Sequence, residues 1–402
     1  EVTIFSYTSC MIDFHFARTP AIHFGRGRLK DLPAILTEKG VGKLVLITGG
    51  TSFRSSNHWE LLHTALKEKR IDYIDFRVES EPSPETVDGI TREAHNYGPD
   101  AVVSIGGGSV VDTGKAVSAM LHAEGSVQDY LEGVGTKTPP GGKRFFIAVP
   151  TTAGTGTEAS KNAVVSKTGK KGFKKSLRHD NYVPDVALID PELALSCPSD
   201  ITAASGLDAI TQLIESFVSS KATPITDTIA ISGLLAAGEG FDRAVTSGEE
   251  DLEARSNMAY AACLSGITMA NAGLGIVHGL ASAVGGLVPI PHGVVCGTLL
   301  PKATEVIVER LFDLEEENNG ALIKYAETGK YLIRSDFGGV EQNCSALIGK
   351  LKDWIEQYNI PRLGSYGVSE ENLQYILEKT GRKNTPVDLS KDDLLEIVSD
   401  RL

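Results

Sequence analysis

The run AVVSIGGGSVVDTGKAVSAM, residues 101–120, limits the fold more than any other stretch of the chain. An unbroken apolar segment rich in β-branched residues runs into Gly106, Gly107, Gly108 and Ser109, then into a helical pattern carrying Asp112 and Lys115. A strand apolar on both sides is buried on both faces, as in a parallel sheet covered by helices. The glycines let a ligand approach the backbone, and the helix start offers free N–H groups and the positive end of the dipole. A pyrophosphate suits that place. The spacing is neither GxGxxG nor GxxxxGK[ST], so a tight strand–helix turn without a ligand stays open on the motif alone.

Other segments repeat the pattern. KLVLIT (43–48), FFIAVP (145–150) and VALID (186–190) have strand composition and end in Gly, Pro or Asp, while 57–69 and 84–97 have helical spacing, the latter with Pro84 at a permitted first position. Strand–helix alternation predicts a doubly wound α/β sheet. After Pro191 the character changes. Residues 200–285 are dominated by Ala, Ile, Leu, Ser and Gly at helical spacing, and the remainder is charged and helical. The expected division is an α/β domain over 1–195 and an all-helical domain over 196–402, in keeping with a length of 402 residues.

Composition removes several classes of function. A formal net charge of −13 argues against a nucleic-acid surface or an anionic membrane partner. No stretch approaches the roughly 20 apolar residues of a membrane span. The first 20 residues show no basic segment followed by an apolar run, so no secretory signal is expected there. Cys10, Cys197, Cys263, Cys296 and Cys344 are scattered and form no CxxC pair, which argues against a disulfide framework or a thiolate zinc site and for the cytoplasm. Cys263 and Cys296, among small apolar residues, are expected to be core packing.

Two further stretches carry chemistry. VPTTAGTGTEAS (149–160) is a second strand-end loop, with hydroxyls suited to a phosphate or a nicotinamide amide. Ligands of open sheets bind where such strand ends converge. GLDAITQLIE (206–215) sets Asp208, Gln212 and Glu215 on one helical face, an arrangement that fits a metal site or an ordinary polar stripe.

Six segments together resemble the iron-containing (group III) alcohol dehydrogenases, relatives of glycerol dehydrogenase and dehydroquinate synthase. They are PAIHFGRG (20–27), GGGSVVDTGK (106–115), PTTAGTGTE (150–158), PDVALIDPEL (184–193), GLDAITQLIE (206–215) and HGLASAVGGLVPIPHG (278–293). The resemblance implies an NAD(P)-dependent oxidoreductase that interconverts an alcohol and an aldehyde or ketone. Its α/β domain would bind NADP or NAD, its helical domain a divalent metal, iron or zinc, with substrate in the cleft between. It further implies Gly107, Gly108 and Ser109 at the pyrophosphate with Asp112 nearby, and Thr151, Thr152 and Thr155 along the phosphates and nicotinamide. Lys174 would reach the ribose, and Asn162 would lie beside the substrate. The family's metal ligands are an Asp, a His four residues on, and two His about 14 apart. Here they fall on Asp208, Gln212, His278 and His292, the two histidines being the residues expected nearest the chemistry. A homodimer or higher homo-oligomer is also expected.

Two departures keep alternatives open. Gln212 replaces a histidine ligand with a weaker amide oxygen, and Ser282 stands where the family has a histidine four residues after His278. Either a metal-free reductase on the same scaffold or a cofactor-binding protein that has lost catalysis would explain them. The family's NAD-selecting acid follows the strand matching KLVLIT. Here the position is Gly49, followed by Gly50, Thr51, Ser52, Phe53 and Arg54, which suit a 2′-phosphate and do not repel it. A preference for NADP(H), or ready acceptance of it, is therefore expected, with Asp75, placed after the next strand, as an alternative source of an acid.

Overall fold

The structure, a computed structural model, describes residues 13–169, 172–314 and 319–402. Cys10 and most of the segment inspected for a secretory signal lie outside them. Strands β1 (Ala21–Phe24), β2 (Lys43–Gly49), β3 (Asp72–Val78), β4 (Ala101–Gly106), β5 (Phe145–Pro150) and β8 (Val186–Ile189) form one parallel sheet in the order β1-β8-β5-β4-β2-β3. Helices α1 (Leu32–Glu38), α2 (Asn57–Glu68), α3 (Pro84–Tyr97) and α4 (Gly108–Met120) link its strands, and β6 (Asn162–Lys167) pairs antiparallel with β7 (Phe173–Arg178) as a separate hairpin. The strands 43–49, 101–106, 145–150 and 186–189 and the two helices fall where their periodicity puts them. β1, β3 and the β6–β7 hairpin are additions, and Asp75 lies within β3, not after it.

Local chemistry explains the boundaries. Ser83 caps α3 by accepting from the Thr86 amide at 3.1 Å, with Pro84 at the first turn. The Asp190 carboxylate accepts from the Gly27 and Leu29 amides, each at 3.0 Å, and so ties the FGRG turn to the end of β8. α4 is buried along almost its whole length. It can lie that close because of two glycines: a Cβ on Gly106 would meet Val110 at 2.6 Å, and one on Gly114 would meet Ser104 Oγ at 1.7 Å.

From Ser199 onward the described residues are helical: α5 (Ser199–Phe217), α6 (Pro224–Ser247), α7 (Leu252–Ala272), α8 (Ile276–Leu287), α9 (His292–Asp313), α10 (Gly320–Ile333), α11 (Val340–Gln357), α12 (Glu370–Lys379) and α13 (Lys391–Ser399). One apolar cluster runs through them, including Leu213, Phe217, Phe241, Leu280, Leu299 and Trp354, and separate clusters cover the two faces of the sheet. No single described helix is long and apolar enough to cross a membrane.

Candidate active site

Strand order reverses between β2 and β4, where β3 lies to one side and β5 to the other. A crevice opens at the carboxyl ends of strands at such a point. Gly49 ends β2 there and Gly106 ends β4. The α4 N-terminus has Gly107 as its cap residue and no side-chain cap, so its first amides face outward to an anion. The Thr-rich loop lies directly on it. A Cβ on Gly107 would stand 3.4 Å from Thr152 Oγ1, one on Gly108 would stand 2.7 Å from Thr155, and the Thr151 amide donates to the Gly106 carbonyl at 3.0 Å. The two loops expected to share a ligand are therefore in contact.

Beneath them lies a buried charged network. Lys115 Nζ, fully enclosed, donates to Thr157 O at 2.7 Å, Thr157 Oγ1 at 2.8 Å and Asn162 O at 2.6 Å. Asp112 accepts from Thr157 Oγ1 and from the Val164 amide at 3.2 Å, so its carboxylate braces the loop from within. Burial pushes Lys115 down to about 8 against the pull of Asp112 and Glu158, and pushes Glu158 up to about 7. Asn162 opens β6, its side chain accepting from Arg178 Nε at 2.8 Å. Lys174 is paired with Glu81, whose other oxygen accepts from Ser166 at 3.0 Å. Both of these charges bear on His292.

The Thr-rich loop also touches the helical half. A Cβ on Gly154 would meet Ser205 of α5 at 2.8 Å, and Gly156, at a φ of 58°, sits backbone to backbone against Gly266 of α7. One turn beyond Ser205, α5 delivers Asp208. Its Oδ1 is buried with no hydrogen-bond partner among the described residues, 3.3 Å from His278 Nε2 on α8 and 3.8 Å from His292 Nε2 at the start of α9. Glu215, two turns along α5, accepts from the Val277 amide at 2.7 Å and faces His278 Nδ1 at 2.7 Å. That pairing directs Nε2 at Asp208, as carboxylate–histidine pairs do beneath metals. Ligand atoms of Asp208, His278, His292 and Cys296 all lie within 4.8 Å of one another. A buried carboxylate oxygen facing two imidazoles fits a divalent cation.

Electrostatics separates the two histidines. Burial opposes the charge on His278, but Cys296, Glu215 and Asp208 raise its pKa well above the usual range. Burial drives His292 down to about 4 despite Asp208. Asp208 is held well below the carboxylate range by both histidines, although burial works the other way.

Gln212, on the same face of α5, is buried, and its Oε1 accepts from Ser265 Oγ on α7 at 3.0 Å. Cys296 joins the group, though its surroundings pointed only to packing. Its signal was the four-residue step from His292, which puts both on one face of a helix. Glu81, Thr157, Ser265 and Lys383 were also missed. Lys383, at a φ of 52°, carries its charge toward Glu215 and Cys296. At the far end of the crevice Arg54 is already engaged, by Thr48 Oγ1 at 2.7 Å, by Asp75, and by stacking 4.6 Å from the Trp59 ring.

Comparison with known proteins gives this arrangement relatives. The model of the family "Iron-containing alcohol dehydrogenase" matches residues 19–191, and that of the Fe-containing alcohol dehydrogenase C-terminal domain matches 202–402. An NAD-dependent methanol dehydrogenase of Bacillus methanolicus is 30% identical over 96% of this chain and 100% of its own. An NADPH-dependent butanol dehydrogenase of Clostridium saccharobutylicum is also 30% identical, over 94% of this chain and 95% of its own. The crystal structure of a 1,3-propanediol oxidoreductase superimposes with a TM-score of 0.84 at 27% identity, covering 98% of this chain and 100% of that one.

Proposed function

The chain belongs to the iron-containing alcohol dehydrogenase family, and from that premise we propose how its residues divide the work of an NAD(P)-dependent oxidoreductase interconverting an alcohol and its carbonyl compound. The observation that carries the proposal is the seat of one loop, 151–157, against the nucleotide turn on one side and against the helices bearing Asp208 and Gly266 on the other.

In this reading the division of labour follows the two halves, 1–195 for the nucleotide and 196–402 for metal and substrate. Gly107, Gly108 and Ser109 receive the pyrophosphate on the α4 amides, and Thr151, Thr152 and Thr155 offer hydroxyls beside it. Asp112, with its carboxylate turned inward, positions that loop. Lys174 and Glu81 border the cleft, with Asn162 and Arg178 at its rim. Asp208, His278 and His292 hold the divalent metal, Gln212 standing behind them, and Glu215 fixes the His278 ring. The metal supplies Lewis-acid polarisation of the substrate oxygen. His278 and His292 would hold that metal from α8 and α9, whose apolar packing encloses this end of the cleft.

The relatives named above act on methanol, butanol and 1,3-propanediol, which supports a short-chain alcohol or its aldehyde as substrate. They divide between NAD and NADPH at equal identity, so the choice rests on local chemistry. Although Glu79 lies against Gly50 at the same turn, Gly49, Thr51 and Ser52 themselves bear no carboxylate and Arg54 is paired with Asp75. That supports acceptance of NADP(H) beside NAD(H). A cytoplasmic enzyme of two or more copies is part of the same proposal, supported by the acidic charge and by the open sheet edge at β1, where Ile22 is exposed.

The test is kcat/KM for a panel of short alcohols, aldehydes, diols and hydroxy acids with both cofactors, in wild type and Gly49→Asp. Turnover with NADPH that falls in the variant while NADH use is kept supports the proposal. A wild type that strongly favours NADH refutes the cofactor reading. Cofactor binding without any turnover refutes the enzyme reading, and full activity after exhaustive chelation refutes the metal's role.

A further inference from the structure

The family resemblance puts a ligand at position 212, and the structure gives that side chain other work. Gln212 is buried and its acceptor oxygen is used by Ser265. A further donor, on another helix, stands against the two imidazoles of the site. Cys296 lies one turn after His292 on α9, fully buried, with Sγ 3.7 Å from His278 Nε2 and 3.7 Å from His292 Nε2.

Ordinary zinc bond lengths set the edges of a tetrahedral ligand shell at about 3.3 Å between nitrogen and oxygen and about 3.6 Å between nitrogen and sulfur. The nitrogen–oxygen edges here are 3.3 and 3.8 Å, and the nitrogen–sulfur edges are both 3.7 Å. Both sulfur–nitrogen separations are also within reach of a weak S–H···N hydrogen bond, and it is the four distances taken together that match the edges of a ligand tetrahedron. A second observation stands apart from the thiol: Asp208 Oδ1, buried and without a hydrogen bond, faces the same point.

We propose that Cys296 is the fourth metal ligand of this chain, replacing the residue lost at position 212, and that the resulting carboxylate, two imidazoles and thiolate make the site select zinc over iron. The proposal rests on the metal-dependent reading above and deepens it. Metal entry converts the Cys296 thiol to a thiolate, with the proton released to solvent and a sulfur–metal bond formed in place of the S–H bond. Two anionic donors then neutralise a divalent ion, where one carboxylate with neutral donors would leave a net positive charge. A thiolate is a soft donor, and mixed sulfur–nitrogen shells of four suit zinc, whereas oxygen- and nitrogen-rich shells suit iron(II). Zinc also expands to five ligands, so four protein donors leave room for a substrate oxygen.

Cobalt(II) tests this without reference to activity, because it takes zinc's place and reports sulfur by an intense near-ultraviolet charge-transfer band. The full chain is stripped with chelator and titrated with cobalt, and separately dialysed against equal zinc and iron(II). A stoichiometric charge-transfer band in wild type, its loss in Cys296→Ala, and a zinc-to-iron ratio after dialysis that falls in Cys296→Ala are the expected results. Adding Gln212→His to Cys296→Ala should restore cobalt binding without the band. Visible cobalt transitions with no sulfur band in wild type would overturn the proposal while leaving the metal-dependent dehydrogenase intact. Failure of wild type to bind cobalt or zinc at all would overturn both. The wild-type spectrum decides the question even where a variant does not fold.

Discussion

Replacing Lys115 with Met should loosen the nucleotide loop and cost about as much as breaking a buried ion pair. Met nearly matches the length of Lys, so the change opens little cavity. What it removes is the donor to Thr157 O, Thr157 Oγ1 and Asn162 O, at 2.7, 2.8 and 2.6 Å. It also leaves Asp112, 3.9 Å from the ammonium, without a buried cation. Hydrogen bonds to a charged group contribute about 1.5–3 kcal/mol each. Three of them would overstate the loss, because enclosing the ammonium has its own cost, visible in its pKa of about 8. Breaking a buried pair from one side costs about 3–5 kcal/mol, and that range is the expectation. With an unfolding entropy of about 2.1 cal/mol/K per residue, a unit of roughly 180 residues would lose about 8–13 °C of midpoint. Thermal melts by circular dichroism, with NADH titration by fluorescence, measure both consequences. Adding Asp112→Asn should recover about 1 kcal/mol or more, since the orphaned carboxylate then becomes neutral. A Lys115→Met protein that melts within about 2 °C of wild type and binds NADH normally would refute the reasoning.

The stability gap between wild type and Lys115→Met should also widen from pH 7.5 to 9.5. An unfolded lysine titrates near 10.4 and the folded one at about 8, so over that window the unfolded wild type binds more protons and stability rises with pH; a gap that narrows in paired denaturant titrations would contradict the assignment. Gly108→Val should abolish binding of NADH and NADPH alike, because even a Cβ would stand 2.7 Å from Thr155; unchanged affinity in fluorescence titrations would remove the pyrophosphate from this turn. Glu215→Gln should weaken zinc binding about 10–100-fold by softening the hold on His278 Nδ1, and equal affinities in competition with a chromophoric chelator would count against that role.

Much of this molecule could be inferred from local pattern. The sheet strands were legible because burial on both faces demands continuous apolar runs, and the α4 turn because only glycine tolerates such close approach. The β3 segment DYIDFRV was passed over because a half-buried edge strand alternates polar with apolar residues, and the hairpin strand FKKSLR because it is mostly charged. Residue type and spacing pointed to Asp208, His278 and His292, whose polar atoms the structure brings together. Cys296 was missed, since it was judged by its neighbours Val294, Val295 and Gly297, which face the core, and not by the helical step back to His292. Ser265 and Glu81 meet their partners only through tertiary packing, which no spacing in the chain encodes. Arg54 was expected to be available to a phosphate; Asp75, in mid-strand on β3, takes it instead.

The bare contact between Gly156 and Gly266 has a thermodynamic consequence. A Cβ on Gly266 would lie 2.0 Å from the Gly156 carbonyl oxygen, so at this point the nucleotide loop and α7 meet backbone to backbone, beside the apolar contact of Ala159 with Cys263 and Ile267. The next residue back on α7 is Ser265, which grips Gln212 beside the metal ligands. Were nucleotide binding to shift this loop, α7 would have to follow, and the two sites would then be heterotropic partners. Linkage then fixes their relation, because whatever factor the bound metal applies to NADH affinity, bound NADH must apply to metal affinity. Cofactor in excess would therefore act as a retention device for the metal, and the ion's exchange rate would become a reporter of nucleotide occupancy.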